Sequence, residues 1–358
     1  MNTDSGSSVI PEGEYTFMYT GRYRGLEDRR IPTCFSKTKA VSSRSKRKGV
    51  KIMMENIEVI GMDHGWSTMK TDSQVFATGV KEIANEPPMR NDILEYNGKY
   101  YSIGERRLEV RADKTENENF YLLTLAGIAK ELKKRGRREG NIYLAAGLPI
   151  SRFGDEKKDF IEYLFKHKEV SFRFEEDYFN IRIVHVAVFP QCYAAVVDRM
   201  AEFTQKVIVV DIGSWTIDIM PIEGKKPVNG ECISIQNGLI PCMRTINEKC
   251  YRLYNTEIDE SIIQKYMRFG SVELDEEYVQ IMNEELRKYA ENVYNSLREY
   301  KINLKTTKIV FVGGGAAVMK NFGQIQQRNI SYILDVKANA KGFEYLGRLS
   351  VNNKRQPA

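Results

Sequence analysis

The sequence has 358 residues, of which 42% are apolar and 28% charged, and its formal net charge is +6. This composition is typical of a globular protein that is long enough for two domains. It excludes a membrane-spanning protein, because no apolar run approaches the roughly 20 residues that a bilayer requires. We also expect no secretory signal, since the first fifty residues contain no apolar segment of the required kind.

The cysteines and histidines predict neither a zinc site nor a redox pair. The five cysteines include no C-x-x-C motif, and the three histidines lie far apart in the chain. Free and mostly buried thiols are typical of a cytoplasmic protein, which is the location we expect.

The excess positive charge is confined to residues 1–54, which contain eleven Lys/Arg and five Asp/Glu, leaving 43 of each sign in residues 55–358. This basic leader is rich in Ser and Gly and is predicted to be disordered. It is either an arm that contacts DNA phosphates or a stretch ahead of a natural start at Met53 or Met54. The neutral main body is not expected to bind nucleic acid directly.

From residue 55 onward the pattern predicts an α/β protein. A strand over 57–62, an Asp-x-Gly turn and a returning strand near 68–78 are followed by a hairpin at 93–104, whose Asn97-Gly98 predicts a type I′ turn. The next expected elements are a helix near 118–135, a strand over 141–150, a helix near 155–168 and a strand pair over 170–189. Pro190 is expected to begin another helix, in whose first turn Gln191 would lie.

The second half starts again with a strand at 207, an Asp-x-Gly turn and a returning strand that ends near 220. A helix from Gly238 to about 255, a long amphipathic helix over about 276–303 and a strand at 308–312 follow. A last helix near 338–349 is expected to pack back on the first half. The repeated beginning predicts a duplicated α/β fold, with domains over 55–205 and 206–358 on either side of a ligand cleft.

The two Asp-x-Gly turns have the same spacing. Asp63, Gly65 and Thr68 in the first correspond to Asp211, Gly213 and Thr216 in the second. Exposed backbone N–H groups beside a glycine bind phosphate oxygens, and a carboxylate beside them can hold Mg²⁺ through water. One such motif is typical of an ordinary turn, whereas two matching copies favour a nucleotide held between the halves. Lys70, Ser67 and Ser214 add donors to these turns.

Two further segments contribute to the predicted site. The triplet Gly313-Gly314-Gly315 follows a strand and precedes a helix, which permits close backbone approach to a ribose or phosphate. Gln191 has a neutral amide that could orient a water for in-line attack, and a purely local hydrogen bond is an equally good interpretation of it. The P-loop sequence is absent, and Trp66 and Trp215 are interpreted as packing residues.

Five segments in this order resemble the actin-like ATPase superfamily. They are MDHGWSTMK as phosphate-one, VFPQCYAA as the first connecting helix, VVDIGSWTID as phosphate-two, NGLIPCMRTINEKCY as the helix bordering the base, and IVFVGGGAAVMKN as the adenosine motif. The resemblance covers about residues 55–350 and implies the duplicated actin-like, ribonuclease-H-like fold. The compact length and AAGLPI are similar to the plasmid-segregation actins of the ParM type, although Trp66 stands where small residues are usual.

The resemblance implies ATP as the nucleotide, with GTP left open, together with Mg²⁺, a helical filament of the protein itself, and a DNA-bound adaptor of the ParR type. It makes Asp63 and Asp211 the carboxylates around the hydrated metal, Lys70 the phosphate contact and Gln191 the residue that positions water. The implied nucleotide contacts are Gly65, Ser67, Thr68, Gly213, Ser214, Thr216, Gly238, Glu248, Gly313, Gly314 and Gly315. Two alternatives on the same fold remain, a small-molecule kinase and a nucleotide-gated binding protein that does not polymerise.

Overall fold

The computed structural model describes residues 57–110 and 113–353. Within them the chain forms two β-sheets flanked by seven α-helices. The predicted basic leader lies outside the described residues, so its prediction is not addressed by the structure.

The first sheet contains nine strands in the order β3-β2-β1-β7-β9-β8-β5-β6-β4. Their bounds are β1 (Ile57–His64), β2 (Thr68–Thr71), β3 (Val75–Ala77), β4 (Val80–Ile83), β5 (Ile93–Tyr96), β6 (Lys99–Ile103), β7 (Glu139–Leu148), β8 (Glu169–Phe174) and β9 (Asp177–Pro190). The second sheet has the order β12-β11-β10-β14-β15, with β13 beside β11. Its strands are β10 (Val207–Ile212), β11 (Ile217–Glu223), β12 (Lys226–Pro227), β13 (Ile233–Ile235), β14 (Lys308–Val312) and β15 (Ile330–Tyr332).

The two sheets repeat one topology. In β3-β2-β1-β7-β9 the first three strands are antiparallel and the last three parallel. The path β12-β11-β10-β14-β15 has the same directions in the same order. This confirms the predicted duplicated α/β fold, and the strands β4, β5, β6 and β8 are an extension of the first copy.

The helices between the strands are α1 (Asn119–Lys134), α2 (Ile150–Leu164), α3 (Leu239–Tyr254), α4 (Glu260–Phe269), α5 (Glu276–Glu299), α6 (Ala316–Phe322) and α7 (Ala338–Asn353). Helix α1, which was expected near 118–135, buries one apolar face that consists of Leu122, Leu125, Ala126, Ala129 and Leu132. Helix α4 was not predicted, and α2 begins five residues earlier than expected.

Two local features explain differences in the first half. The predicted single strand near 68–78 is divided into β2 and β3, because Glu131 of α1 accepts hydrogen bonds from the Ser73 amide at 2.9 Å, the Ser73 hydroxyl at 2.8 Å and the Thr71 hydroxyl. These bonds stabilise a tight turn at this point. The hairpin at Asn97-Gly98 has the predicted type I′ character, with φ of 52° and 73°.

Helix α7 packs on strands of the first half. Gly61 of β1 lies so close to the helix that a Cβ at this position would come within 2.5 Å of the Glu344 amide nitrogen. The Glu344 carboxylate accepts a hydrogen bond from the Gly61 amide at 3.2 Å and pairs with Arg135 at 3.0 Å. Phe343 on the same helix is fully buried. The last helix is therefore an integral part of the first half's core.

Candidate functional site

The two predicted aspartates occupy equivalent positions, one residue before the end of β1 and of β10, which are the middle strands of the two repeated five-strand paths. Asp63 in β1 lies opposite Lys70 of β2, and Asp211 in β10 lies opposite Asp218 of β11. Both carboxylates are buried, with exposed fractions of 4% for Asp63 and 5% for Asp211. The repeated sequence spacing thus corresponds to a repeated structural position.

Asp63 is the centre of a three-residue cluster. The Lys70 ammonium lies 3.0 Å from its Oδ2, and the Gln191 side-chain amide donates to its Oδ1 at 3.0 Å. Burial alone would raise the pKa of Asp63, but the charge and hydrogen bond of Lys70 lower that pKa below its usual value. The structure therefore brings together three of the predicted site residues and keeps this carboxylate ionised.

Asp211 has a different environment. Burial raises its pKa to about 7, a hydrogen bond from Asn339 opposes this rise, and the negative charges of Asp218 and Asp63 add to it. The Asn339 side-chain amide donates to Asp211 Oδ2 at 2.6 Å. Because nearby negative charge raises its pKa, Asp211 would be stabilised as a carboxylate by a cation placed between the two aspartates.

The first turn is held by its own backbone and by a neighbouring strand. The Thr78 hydroxyl donates to the Gly65 carbonyl at 2.7 Å, and the Thr78 amide donates to the Ser67 carbonyl at 3.0 Å. The Lys70 ammonium also reaches the Thr68 carbonyl at 3.4 Å. A Cβ at Gly65 would lie 2.6 Å from the Thr68 carbonyl oxygen, so this tight turn requires glycine.

The second turn is joined directly to helix α3. The amides of Leu239 and Ile240 donate to the carbonyls of Gly213 and Ser214 at 3.1 and 2.9 Å. Gly238 packs against the turn, where an added Cβ would lie 2.5 Å from the Trp215 nitrogen. The start of helix α3 and the second Asp-x-Gly turn are therefore held together by backbone hydrogen bonds. The Thr216 hydroxyl donates a hydrogen bond to the Asp218 carboxylate at 2.9 Å.

The glycine triplet lies beside Asp211. Gly313 has φ of +79°, and a Cβ on it would overlap the Asp211 carboxylate and come within 2.7 Å of the Ile212 carbonyl oxygen. The Gly315 amide donates to the same carbonyl at 3.0 Å. Gly314 has more room, since a Cβ there would first meet Leu239 at 3.6 Å. The triplet thus brings β14 and α6 to the second turn.

The expected helix at Pro190 is wrong. Strand β9 continues through Pro190, and the 3₁₀-helix Ala194–Glu202 begins four residues later. The backbone amide of Gln191 donates to the Leu148 carbonyl at 3.0 Å, so Gln191 continues the pairing of β9 with β7. The next residue, Cys192, has a positive φ of 63° and is not helical. Gln191 nevertheless reaches the site, because it leaves the end of a strand that lies next to β7 in the sheet.

Glu248 is not brought into this group. It is exposed on α3, nine residues beyond Leu239 and hence about 13 Å along the helix axis from the second turn. The other predicted residues lie on the two turns, in the glycine triplet, in the Asp63 cluster or, for Gly238, at the start of α3 beside the second turn.

Sequence reasoning missed two polar residues of the site. Asn339 lies in the first turn of α7, and because that helix packs on the first half, its bond to Asp211 joins the two halves. The buried Lys114 donates to the carbonyl of His64, between Asp63 and Gly65, at 2.5 Å. Neither position belongs to a recognisable motif. The expected packing of the last helix on the first half was the one feature of the sequence that indicated a position for Asn339 near the site.

An ion pair also spans the two halves. Arg107, which follows β6 in the first half, forms a bidentate pair with Glu260 of α4 at 2.9 and 2.7 Å. This pair adds to the connections that the Asn339–Asp211 hydrogen bond makes.

The described residues contain no cluster of three or more His, Cys, Asp or Glu that could hold a metal ion by itself. Mg²⁺ is commonly held by one or two carboxylates together with waters and substrate phosphates. Asp63 and Asp211 fit this kind of site, in which a nucleotide supplies the missing oxygens. In residues 57–110 and 113–353, no helix has the length and apolar character to cross a membrane.

Two family models match the chain in sequence. Residues 35–193 match the N-terminal domain of actin like proteins, and residues 209–323 match the C-terminal part of an archaeal MreB-like actin homologue. No curated protein sequence matches the chain.

Solved actin-like structures have the same fold. The apo psk41 ParM protein has a TM-score of 0.63 at 19% identity, with 84% of this chain and 100% of that chain covered. A 15-stranded ParM filament from Clostridium botulinum has a TM-score of 0.65 at 18% identity, with coverages of 82% and 99%. The ADP complex of Ta0583, an archaeal actin homologue, has a TM-score of 0.62 at 19% identity, with coverages of 81% and 99%.

These findings define a class, since the two sequence matches and the duplicated topology together place the chain in the actin-like superfamily. Within that superfamily its fold is similar to that of the ParM proteins, which confirms the predicted resemblance.

Proposed function

We propose that this protein binds ATP with Mg²⁺ between its two Asp-x-Gly turns, hydrolyses it, and polymerises into filaments that segregate plasmid DNA through a DNA-bound adaptor. The observation that carries the proposal is the pair of equivalent buried aspartates, Asp63 and Asp211, near the ends of β1 and β10, which are the middle strands of the repeated five-strand topology. A ligand with several negative charges and a bound cation matches such a pair.

The chain's own groups suit each part of a triphosphate. The turns at Gly65 and Gly213 offer backbone N–H groups to phosphate oxygens, and Lys70 adds a positive charge beside the first turn. Mg²⁺ held through water by Asp63 and Asp211 would neutralise phosphate charge. In the glycine triplet, Gly314 has room for close backbone approach of the nucleoside part.

Hydrolysis requires a water placed in line with the terminal phosphate. The Gln191 amide nitrogen is fixed by its bond to Asp63, so its side-chain oxygen is free to accept a hydrogen bond from that water. Such positioning needs no strong base. The comparison with an ADP complex of the same fold supports a nucleotide, and the comparison with a filament supports self-association.

The test of the nucleotide site compares Asp211→Ala with Asp155→Ala, because Asp155 is exposed on α2. We expect phosphate release from ATP to be abolished in Asp211→Ala and to be normal in Asp155→Ala. Near-normal phosphate release by Asp211→Ala would remove this residue from the site and contradict the proposal.

A further inference from the structure

Lys114 is a buried lysine behind the first turn. It lies between β6 and α1, and only 6% of its surface is exposed. Its ammonium donates to the His64 carbonyl at 2.5 Å and lies 5.8 Å from the centre of the Trp66 ring and 5.6 Å from that of Phe120. The unusual Trp66 of the first turn is thus part of the enclosure around this charge.

No carboxylate of residues 57–110 and 113–353 forms an ion pair with Lys114 at the distances seen for the other buried cations. Burial lowers its pKa to about 8, and the charge of Asp63 opposes this change. A buried ion without a paired counter-ion lowers the free energy of unfolding by an amount comparable to the whole stability of a typical domain. A lysine in this position therefore requires a compensating function.

The first turn offers Lys114 no free carboxylate. Asp63, whose charge acts on Lys114, is already paired with Lys70 at 3.0 Å. Arg152 and Glu156 act on Lys114 from a distance with opposite signs. Lys114 therefore has no carboxylate of its own at ion-pair distance among the described residues, and a phosphate at the first turn would balance its charge.

We propose that Lys114 is a positioning residue of the nucleotide site, whose hydrogen bond fixes the first turn and whose charge is balanced by the phosphates of the bound nucleotide. This inference rests on the proposed nucleotide site. It assigns Lys114 to the phosphates and not to the base or ribose, because Lys114 donates a hydrogen bond to His64, the residue between Asp63 and Gly65.

A role of Lys114 in phosphate binding can be distinguished from a purely structural role by comparing stability with ligand affinity. Replacing Lys114 by Met removes a buried unpaired charge but keeps an unbranched chain of similar length beside Trp66 and Phe120. The nucleotide-free protein should therefore melt at the same or a higher temperature. Its affinity for ATP and ADP should fall about tenfold or more, while its affinity for adenosine stays unchanged.

The matched control is Lys130→Met. Lys130 also lies over two aromatic rings, at 5.5 Å from Phe76 and 5.0 Å from Phe174, but it pairs with the exposed Asp92. The variant Lys130→Met should leave the affinity for ATP, ADP and adenosine unchanged. Lys114→Gln keeps an amide donor without the charge, and it should lose phosphate affinity as Lys114→Met does.

The measurements are fluorescence titrations with ATP, ADP and adenosine and thermal unfolding without ligand. A lower melting temperature of both Lys114 variants with unchanged ATP affinity, or an equal loss of affinity for adenosine and ATP, would overturn the inference. Failure of the unmodified protein to bind ATP would instead refute the proposed function itself.

Discussion

Gly61→Ala tests the docking of the last helix on the first sheet. The added Cβ would lie 2.5 Å from the Glu344 amide nitrogen and closer still to the Ala340 carbonyl oxygen. Both are backbone atoms of α7 and cannot rotate away. Since ordinary contact begins at 3.4 Å, the helix must retreat by about 1 Å or more from β1.

The expected destabilisation combines two effects. Overpacking of this kind costs about 1–3 kcal/mol, and the hydrogen bond from the Gly61 amide to Glu344 is buried and lengthens, which adds about 1 kcal/mol. A total of about 3 kcal/mol corresponds to a fall of roughly 4 °C in melting temperature for a chain of this size.

The assay is thermal and urea unfolding followed by circular dichroism. The control is Gly140→Ala in the neighbouring strand β7, where the nearest atom to an added Cβ is a Glu58 side-chain carbon at 3.6 Å. This variant should stay within about 0.5 kcal/mol of the original protein. Equal stability of the two variants would refute the close packing of α7 on β1.

Three other predictions concern the connections around the site. Arg107→Glu and Glu260→Arg should each destabilise the protein and together restore about 0.5–1 kcal/mol in a double-mutant cycle, whereas strict additivity would exclude their interaction. Asn339→Ala removes the amide that holds Asp211, so we expect hydrolysis to need severalfold more Mg²⁺; an unchanged Mg²⁺ titration would contradict this role. Gln191→Ala should slow phosphate release roughly 100-fold while ATP binding persists, and a loss of binding affinity would show that Gln191 is structural.

Those parts of the fold that depend on local pattern could be predicted from the sequence. The apolar face of α1 and the Asn97-Gly98 turn follow from residue periodicity and from the positive φ that glycine and asparagine tolerate. The duplication could be recognised because Asp63 and Asp211 each begin an Asp-x-Gly turn that follows one apolar strand and precedes a returning strand.

The features that could not be predicted depend on tertiary contacts. Pro190 has no amide hydrogen and suits a helix start, but pairing with β7 keeps it in a strand. The division of the strand near 68–78 depends on Glu131, which is remote in sequence. Asn339 and Lys114 reach the site only through the packing of α7 and of the segment after β6. No local pattern reports such contacts.

The central claim is that ATP bound between the two turns drives self-assembly. The most direct measurement is right-angle light scattering on addition of Mg-ATP, recorded together with phosphate release, with Mg-ADP and Asp211→Ala as controls. We predict a rise in scattering that decays as phosphate accumulates, and no rise with either control. Flat scattering over a broad range of protein concentration, with ATP bound, would contradict the claim and favour a kinase or a nucleotide-gated binding protein.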